Sequence, residues 1–427
     1  MTATSDLSYW RVLRLRSVSP LLGSALCSRL ASEIFTVAIV LHVYDRFDSP
    51  PLAGWVVAAS AVPGLVVSPL AGAILDRFGP ARGMVIDVAT ATCLVAAIAL
   101  VEPGGTGGAA LLVGLAAGYS LTRPLSLAGF RTLLPRLVPE SARDRANAID
   151  IGLYDVTTVA GTALAGGLFV LLGGRVTLLI VASLYAGAAL ALLPVLARRV
   201  PGAGGRARLL TAALDAISYS VRHPVLRGLA VSYSLYSVAW GVLVVSVPIA
   251  VVAATGGQVR EDGALVGGAW AMVGITGALG ALVVGKLRTA GRERRFIAVG
   301  VLVTALAVYP VIGHGGAVGL VAGLLLVGSF GAAVNVGVLT LRQRRTDPAM
   351  LGRVIAVSIS LNLFGEPVGA ALGGWLADRA LPLALAAGGA AAAAGAIASL
   401  LLIPPDPPDR EPGPDPADRA RARSGRT

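Results

Sequence analysis

Charge is scarce in this sequence. Asp, Glu, Lys and Arg together make up 14% of its 427 residues, where a soluble domain carries about a quarter, so too few ionic side chains exist to coat a water-exposed surface. Aromatic residues are few as well, at 5%, and Lys286 is the single lysine. The two cysteines, Cys27 and Cys93, each lie inside an apolar run, which argues against a disulfide framework and against a cysteine-ligated metal. Three scattered histidines, His42, His223 and His314, do not make a metal site either. No metal and no cofactor is expected, and neither a polar catalytic cluster nor a ligand set speaks for an enzyme.

What is abundant is apolar sequence. Hydrophobic residues reach 56% and mean hydropathy is +0.79, so lipid is the solvent this composition fits. Twelve apolar runs can be read, at 20–45, 52–75, 83–101, 108–135, 148–172, 174–197, 225–252, 264–285, 296–312, 317–341, 354–377 and 381–403. Most have the roughly 20 residues a helix needs to cross the hydrocarbon layer. The expected fold class is therefore an all-α polytopic membrane protein with twelve transmembrane helices in two similar six-helix bundles. The first bundle is placed at 20–197 and the second at 225–403, after a cytoplasmic segment 1–19. The arginines of that segment precede a run long enough to span, so a cleavable signal peptide is not expected.

The formal charge of +12 invites a nucleic-acid reading, but placement opposes it: the arginines fill short gaps between apolar runs. Of the 35 Lys and Arg residues, 28 fall on the side that holds both termini, counting Arg227 at the edge of the seventh run, with four on the other side and three deeper within spans. Positive charge collects in cytoplasmic loops, which predicts cytoplasmic termini in a bacterial plasma membrane. The longest gap, 198–224, opens with Pro201-Gly-Ala-Gly-Gly205 and continues with Leu210, Ala213, Leu214, Ile217 and Val221 at helical spacing. It reads as an amphipathic surface helix joining the bundles. Pro139, Arg145 and Gly166-Gly167 recur as Pro348, Arg353 and Gly373-Gly374 at a nearly constant offset, as a diverged duplication requires. The Pro-, Asp- and Arg-rich tail 404–427 has little to bury and is expected to be disordered.

Between the second and third runs stands Gly72-Ala-Ile-Leu-Asp76-Arg77-Phe-Gly79-Pro80-Ala81-Arg82. Gly72 permits close helix approach, Gly79 a tight turn, and Asp76 can sit at a helix N-terminus or pair with an arginine in one conformation. The stretch resembles the cytoplasmic loop signature of the major facilitator superfamily, with Pro80-Ala81 where that family usually has basic residues. Phe130-Arg-Thr-Leu-Leu-Pro135-Arg-Leu-Val-Pro139 with Ala146-Asn147 is similar to the span-four exit of multidrug and macrolide exporters in that superfamily. Asp347 to Val354, continuing from Gly365 to Gly374, is similar to the enterobactin-exporter branch. The resemblance implies the major facilitator fold, alternating access around a central site, and export of a small amphipathic organic compound such as a drug, antibiotic or siderophore. It implies protons as coupling ion and a monomer working among membrane lipids.

Ionisable groups inside spans are functional candidates, because each costs about 3 kcal/mol or more at the bilayer centre. Arg29 and Glu33 stand i,i+4 on one face of the first span, so they can neutralise each other. Arg123 lies in the fourth span with Arg131, and Asp155 in the fifth. Glu366 is placed mid-span in the eleventh, beside helix-kinking Pro367 and near Asn362, with no cation in its own span. It needs a partner, water or a proton, and a group that exchanges protons can couple transport to a proton gradient. Asp150 and Asp87, nearer the inner ends, are expected to anchor loops. Tyr233, Tyr236 and Trp240, at i, i+3 and i+7, can either pack or line a cavity and stack on a solute, and Asn335 is a candidate cavity donor.

One motif is a decoy. Gly280-Ala-Leu-Val-Val-Gly285-Lys286-Leu287 approaches a phosphate-binding loop, but Leu287 replaces the Ser/Thr and the segment closes a span instead of following a strand. No ATPase is encoded. The chain thus reads as a secondary active exporter, an antiporter with protons; an uptake or facilitated-diffusion carrier and a non-transporting sensor are the alternatives.

Overall fold

The computed structural model describes residues 9–16, 18–102, 105–139, 143–197, 217–256, 259–286, 292–308, 316–346 and 364–405. Within them the chain is helical, with no strand. After a short α1 (Tyr9–Leu13) come α2 (Val18–Phe47), α3 (Pro50–Ala59), α4 (Val62–Phe78), α5 (Pro80–Leu100), α6 (Gly105–Leu137) and α7 (Arg143–Leu196). The second half holds α8 (Pro224–Thr255), α9 (Val259–Lys286), α10 (Glu293–Ala307), α11 (Gly316–Arg345), α12 (Gly365–Ala377) and α13 (Leu381–Leu402). Among the described residues nine helical stretches are long and apolar enough to cross a bilayer. The connecting helix expected at 198–224 falls mostly outside the described residues, which resume at 217, and so does the tail beyond 405.

Three departures from simple spans have local causes. The second run is two helices, broken at Ala61 (φ −127°, ψ −47°). Pro63 has no N–H to give, and its ring would clash with the carbonyl four residues earlier, which belongs to Ala59, the last residue of α3. The fifth and sixth runs form one 54-residue element interrupted at Gly173 (φ 77°, ψ 165°). Straight, it would extend about 80 Å, far beyond a hydrocarbon core of about 30 Å, so the chain folds back there, on a residue without a β-carbon. The described parts of the ninth and eleventh runs are short, 15 residues in α10 and 13 in α12.

In lipid, helices gain little by burying apolar side chains against one another, and association relies on close packing at small residues. The α8–α12 pair illustrates this. Gly365, Gly369 and Gly373 recur every fourth position on α12, and a β-carbon at each would strike the α8 backbone at Ser234, Val238 and Val242. On its other side α12 meets α3, where Gly374 packs against Gly54 and the Pro50 carbonyl. Elsewhere Gly166 of α7 lies against Gly263 and Gly267 of α9. These two backbone contacts join the first half of the chain to the second. The surface is apolar: Leu171, Val318 and Leu401 are 78%, 79% and 77% exposed.

The contacts also fix direction. α8 and α12 run parallel, while α3 runs against α12 and α13 against α8, with Gly228 beside Leu402 and Ser232 beside Gly395. The start of α2 and the end of α13 therefore share one end of the molecule, called the terminal end below. At the far end, Glu102 bridges Arg46 at the end of α2 and Arg175, just past Gly173, the latter at 3.6 Å.

Candidate functional site

A cavity of about 630 Å³ opens in the terminal half of the helix assembly. α2 lines it from Ala25 to Thr36, the broken second span from Val57 to Ser68, and α6 from Tyr119 to Arg131. From the second half of the chain come Glu366 and Pro367. The break at Ala61 serves this wall. It lets Gly64 approach α6 so closely that its N–H donates to the Ser120 hydroxyl at 3.1 Å.

Arg29 turns away from its helix neighbour. It forms an ion pair with Asp150 of α7 at 2.6 Å, donates to the Asp150 carbonyl at 3.1 Å, and lies over the rings of Phe130 and Tyr154 at 5.0 and 5.7 Å. The neutralisation of Arg29 by Glu33 that their spacing allows is thereby corrected: a carboxylate and two aromatic faces on neighbouring helices hold the guanidinium. Asp150 is likewise a cavity residue bound to α2, not a loop anchor. Glu33 instead accepts from Thr158 at 3.4 Å, and Gly161, one turn on, leaves room for its stem.

Arg123 is the centre of a second network. It donates to the Ser32 hydroxyl at 2.7 Å and to the Tyr185 hydroxyl at 3.2 Å, and Tyr185 shares a 2.6 Å hydrogen bond with Tyr119. Both phenol rings stand beside the guanidinium, at 5.9 and 5.5 Å. Three helical segments, α2, α6 and the second part of α7, thus meet through one side chain. Behind it Asp87 of α5 is fully buried, which corrects its expected place at a loop; two α6 hydroxyls, Thr122 and Ser126, face it.

Glu366 occupies the first turn of α12, where the helix dipole favours negative charge. Across the cavity Glu33 is in electrostatic reach, as is Tyr233 on α8. Two carboxyl groups from opposite halves therefore face one space. Asp155 lies within α7, but its side chain is outside the described residues, and Asn362 is outside them altogether.

The aromatic row on α8 is continuous. Tyr233 meets Tyr236 edge-on at 5.5 Å, Tyr236 meets Trp240 at 6.3 Å, and Trp240 stacks on Trp270 of α9 at 6.1 Å. Tyr236 is buried in the core of the second half, so packing explains it. Asn335 accepts a 2.7 Å hydrogen bond from Tyr233. In the loop motif, Gly72 lies in α4, and the Asp76 side chain is outside the described residues. Gly79 joins α4 to α5 at φ 87°, Arg77 stands over the Phe78 ring at 5.3 Å, and Arg82 is exposed. The Tyr119–Tyr185 pair escaped sequence reasoning because the partners are 66 positions apart. Asp87 carried a signal, an acid within an apolar run.

Comparison with known proteins agrees with this architecture. The family model described as Major Facilitator Superfamily matches residues 21–357 and 229–425. An uncharacterized MFS-type transporter, y4rN of Sinorhizobium fredii, is 45% identical over 377 residues, covering 88% of this chain and 92% of that protein. The multidrug efflux pump Tap of Mycolicibacterium fortuitum is 28% identical over 380 residues, covering 84% and 89%. Among solved structures, the nucleoside transporter NupG superposes with a TM-score of 0.70 at 13% identity, covering 91% of this chain and 97% of that one. The chain belongs to the major facilitator superfamily of membrane transporters and is not an enzyme.

Proposed function

We propose that this protein is a proton-coupled exporter of a small amphipathic organic compound, with twelve spans and both termini in the cytoplasm. The observation that carries the reading is the cavity faced by Glu33 from one half of the chain and Glu366 from the other. Two carboxyl groups crowded in a membrane interior cannot both stay ionised and unpaired at low cost. A proton, or a basic group on a solute, relieves that cost, and either can leave when the halves rock apart. The apolar and aromatic part of the wall, Phe35, Leu65, Leu127, Phe130 and Tyr154, suits the apolar part of an amphipathic solute. The likeness to Tap supports export.

Everted vesicles from cells expressing the protein test this with ethidium and a panel of amphipathic aromatic compounds. Accumulation that requires the chain and collapses with a protonophore is expected. Accumulation confined to right-side-out vesicles, or indifferent to the pH gradient, contradicts it.

A further inference from the structure

Asp87 has no part in the cavity pair, yet its surroundings are those of a working group. It is fully buried, and among the described residues no salt bridge to either carboxyl oxygen is formed. Thr122 and Ser126, one turn apart on α6, turn their hydroxyls toward it, and both hydroxyls are buried with no other partner among the described residues. Ser126 also lines the cavity. A single hydroxyl therefore separates Asp87 from the space that opens toward the terminal end.

Arg123 is the cation in reach of Asp87, but it directs its hydrogen bonds to Ser32 and Tyr185. The other ionisable groups at this cluster are Tyr185 and Tyr119, on α7 and α6, and Glu33 on α2; α4 contributes none among the described residues. A buried carboxylate without a bonded cation is far more costly than the neutral acid, even with two hydroxyls able to donate to it. The neutral acid can donate its O–H to either facing hydroxyl and accept from the other. Arg123 bonds Ser32 and Tyr185 here and has Asp87 within electrostatic reach as an alternative partner.

We propose that Asp87 is a second proton-binding site, distinct from the Glu33–Glu366 pair, loaded from the cavity through Ser126 and unloaded when Arg123 turns to the carboxylate. On loading, Ser126 passes its hydroxyl proton to an Asp87 oxygen and takes one from a hydronium ion in the cavity, which leaves as water, so that one O–H bond forms for each that breaks. On unloading the transfers reverse. Arg123 stays charged throughout, so the Asp87–Arg123 couple alternates between a net charge of one and an ion pair of net zero.

The site is testable without a transported compound, and only its part in turnover rests on the proposed proton coupling. Purified protein in detergent micelles is examined by infrared difference spectroscopy near neutral pH. Wild type should show the carbonyl stretch of a protonated, weakly hydrogen-bonded acid; Asp87→Asn should lack it while melting as wild type does, because the amide resembles the neutral acid in shape. Ser126→Ala should keep the band but slow its shift on transfer to heavy water. Wild type labelled with carbon-13 at aspartate carboxyls gives a measurement that needs no variant: the band must move with that label. A band untouched by the label, or surviving in Asp87→Asn, overturns the proposal, as does Asp87→Asn melting as low as Asp87→Ala. Loss of gradient-driven transport in Glu366→Gln with the Asp87 band intact would separate failure of the cavity pair from failure of this site.

Discussion

Gly54 and Gly374 meet backbone to backbone: a β-carbon added at Gly54 would stand 3.2 Å from the Gly374 Cα, and one at Gly374 3.1 Å from the Gly54 main chain. With Gly166 against Gly267 on the other side, where the added carbon would lie 2.7 Å from a Cα, the halves are joined on the far side of the cavity. A transporter that rocks must part these surfaces in its other state.

Bulk at these glycines should therefore penalise one state and spare the other. Gly54→Val and Gly166→Val each add a wedge costing about 1–3 kcal/mol, which shifts a two-state balance roughly 5- to 150-fold. Spin labels on cysteines at Trp55 and Trp375, exposed on α3 and α12, report the separation. It should widen in both variants, while the proteins still insert and turnover falls. An unchanged distance with normal turnover would show that the contacts do not part.

The Arg29–Asp150 pair makes a different kind of prediction. Its side chains are 20% and 25% exposed, and removing one partner of a largely buried pair leaves the other uncompensated, at about 3 kcal/mol. Arg29→Met and Asp150→Leu should each lower the melting temperature by several degrees, and the double variant should recover much of the loss. Additive losses would mean that the ion pair contributes no coupling.

Much of this architecture was legible because the bilayer imposes a length on every apolar run, and Gly173 stands where the expected fifth and sixth runs divide. The broken second span was not foreseen, since Pro63 inside an apolar run reads equally as a tolerated membrane proline. At the site, charge was the readable signal: Arg29, Glu33, Arg123 and Glu366 stand out against aliphatic neighbours. Partnership was not readable. The i,i+4 rule pointed Arg29 at Glu33, but that rule describes a lone helix, and in a bundle a neighbouring helix supplied Asp150. Likewise nothing local to Asp87 announces Thr122 and Ser126.

Topology has its own test. The proposed topology, argued from the uneven placement of arginine, has both termini and the 198–224 connection in the cytoplasm. In a variant lacking Cys27 and Cys93, single cysteines at Gly204 and Gly257 are exposed to a membrane-impermeant thiol reagent on intact cells. Gly257→Cys should label and Gly204→Cys should not; the reverse pattern inverts the topology and turns the proposed exporter into an importer.

The central claim is that the cavity carboxyl pair couples a proton to the solute, and Glu366→Gln in proteoliposomes tests it most directly. The amide keeps the shape of the protonated side chain but can never release a proton. With the compound that everted vesicles identify, the variant should lose accumulation against a gradient under an imposed pH difference, while still binding the compound or exchanging it across the membrane. If Glu366 only bonds a neighbouring helix, glutamine serves as well. A glutamine variant that concentrates the compound as wild type does contradicts the account.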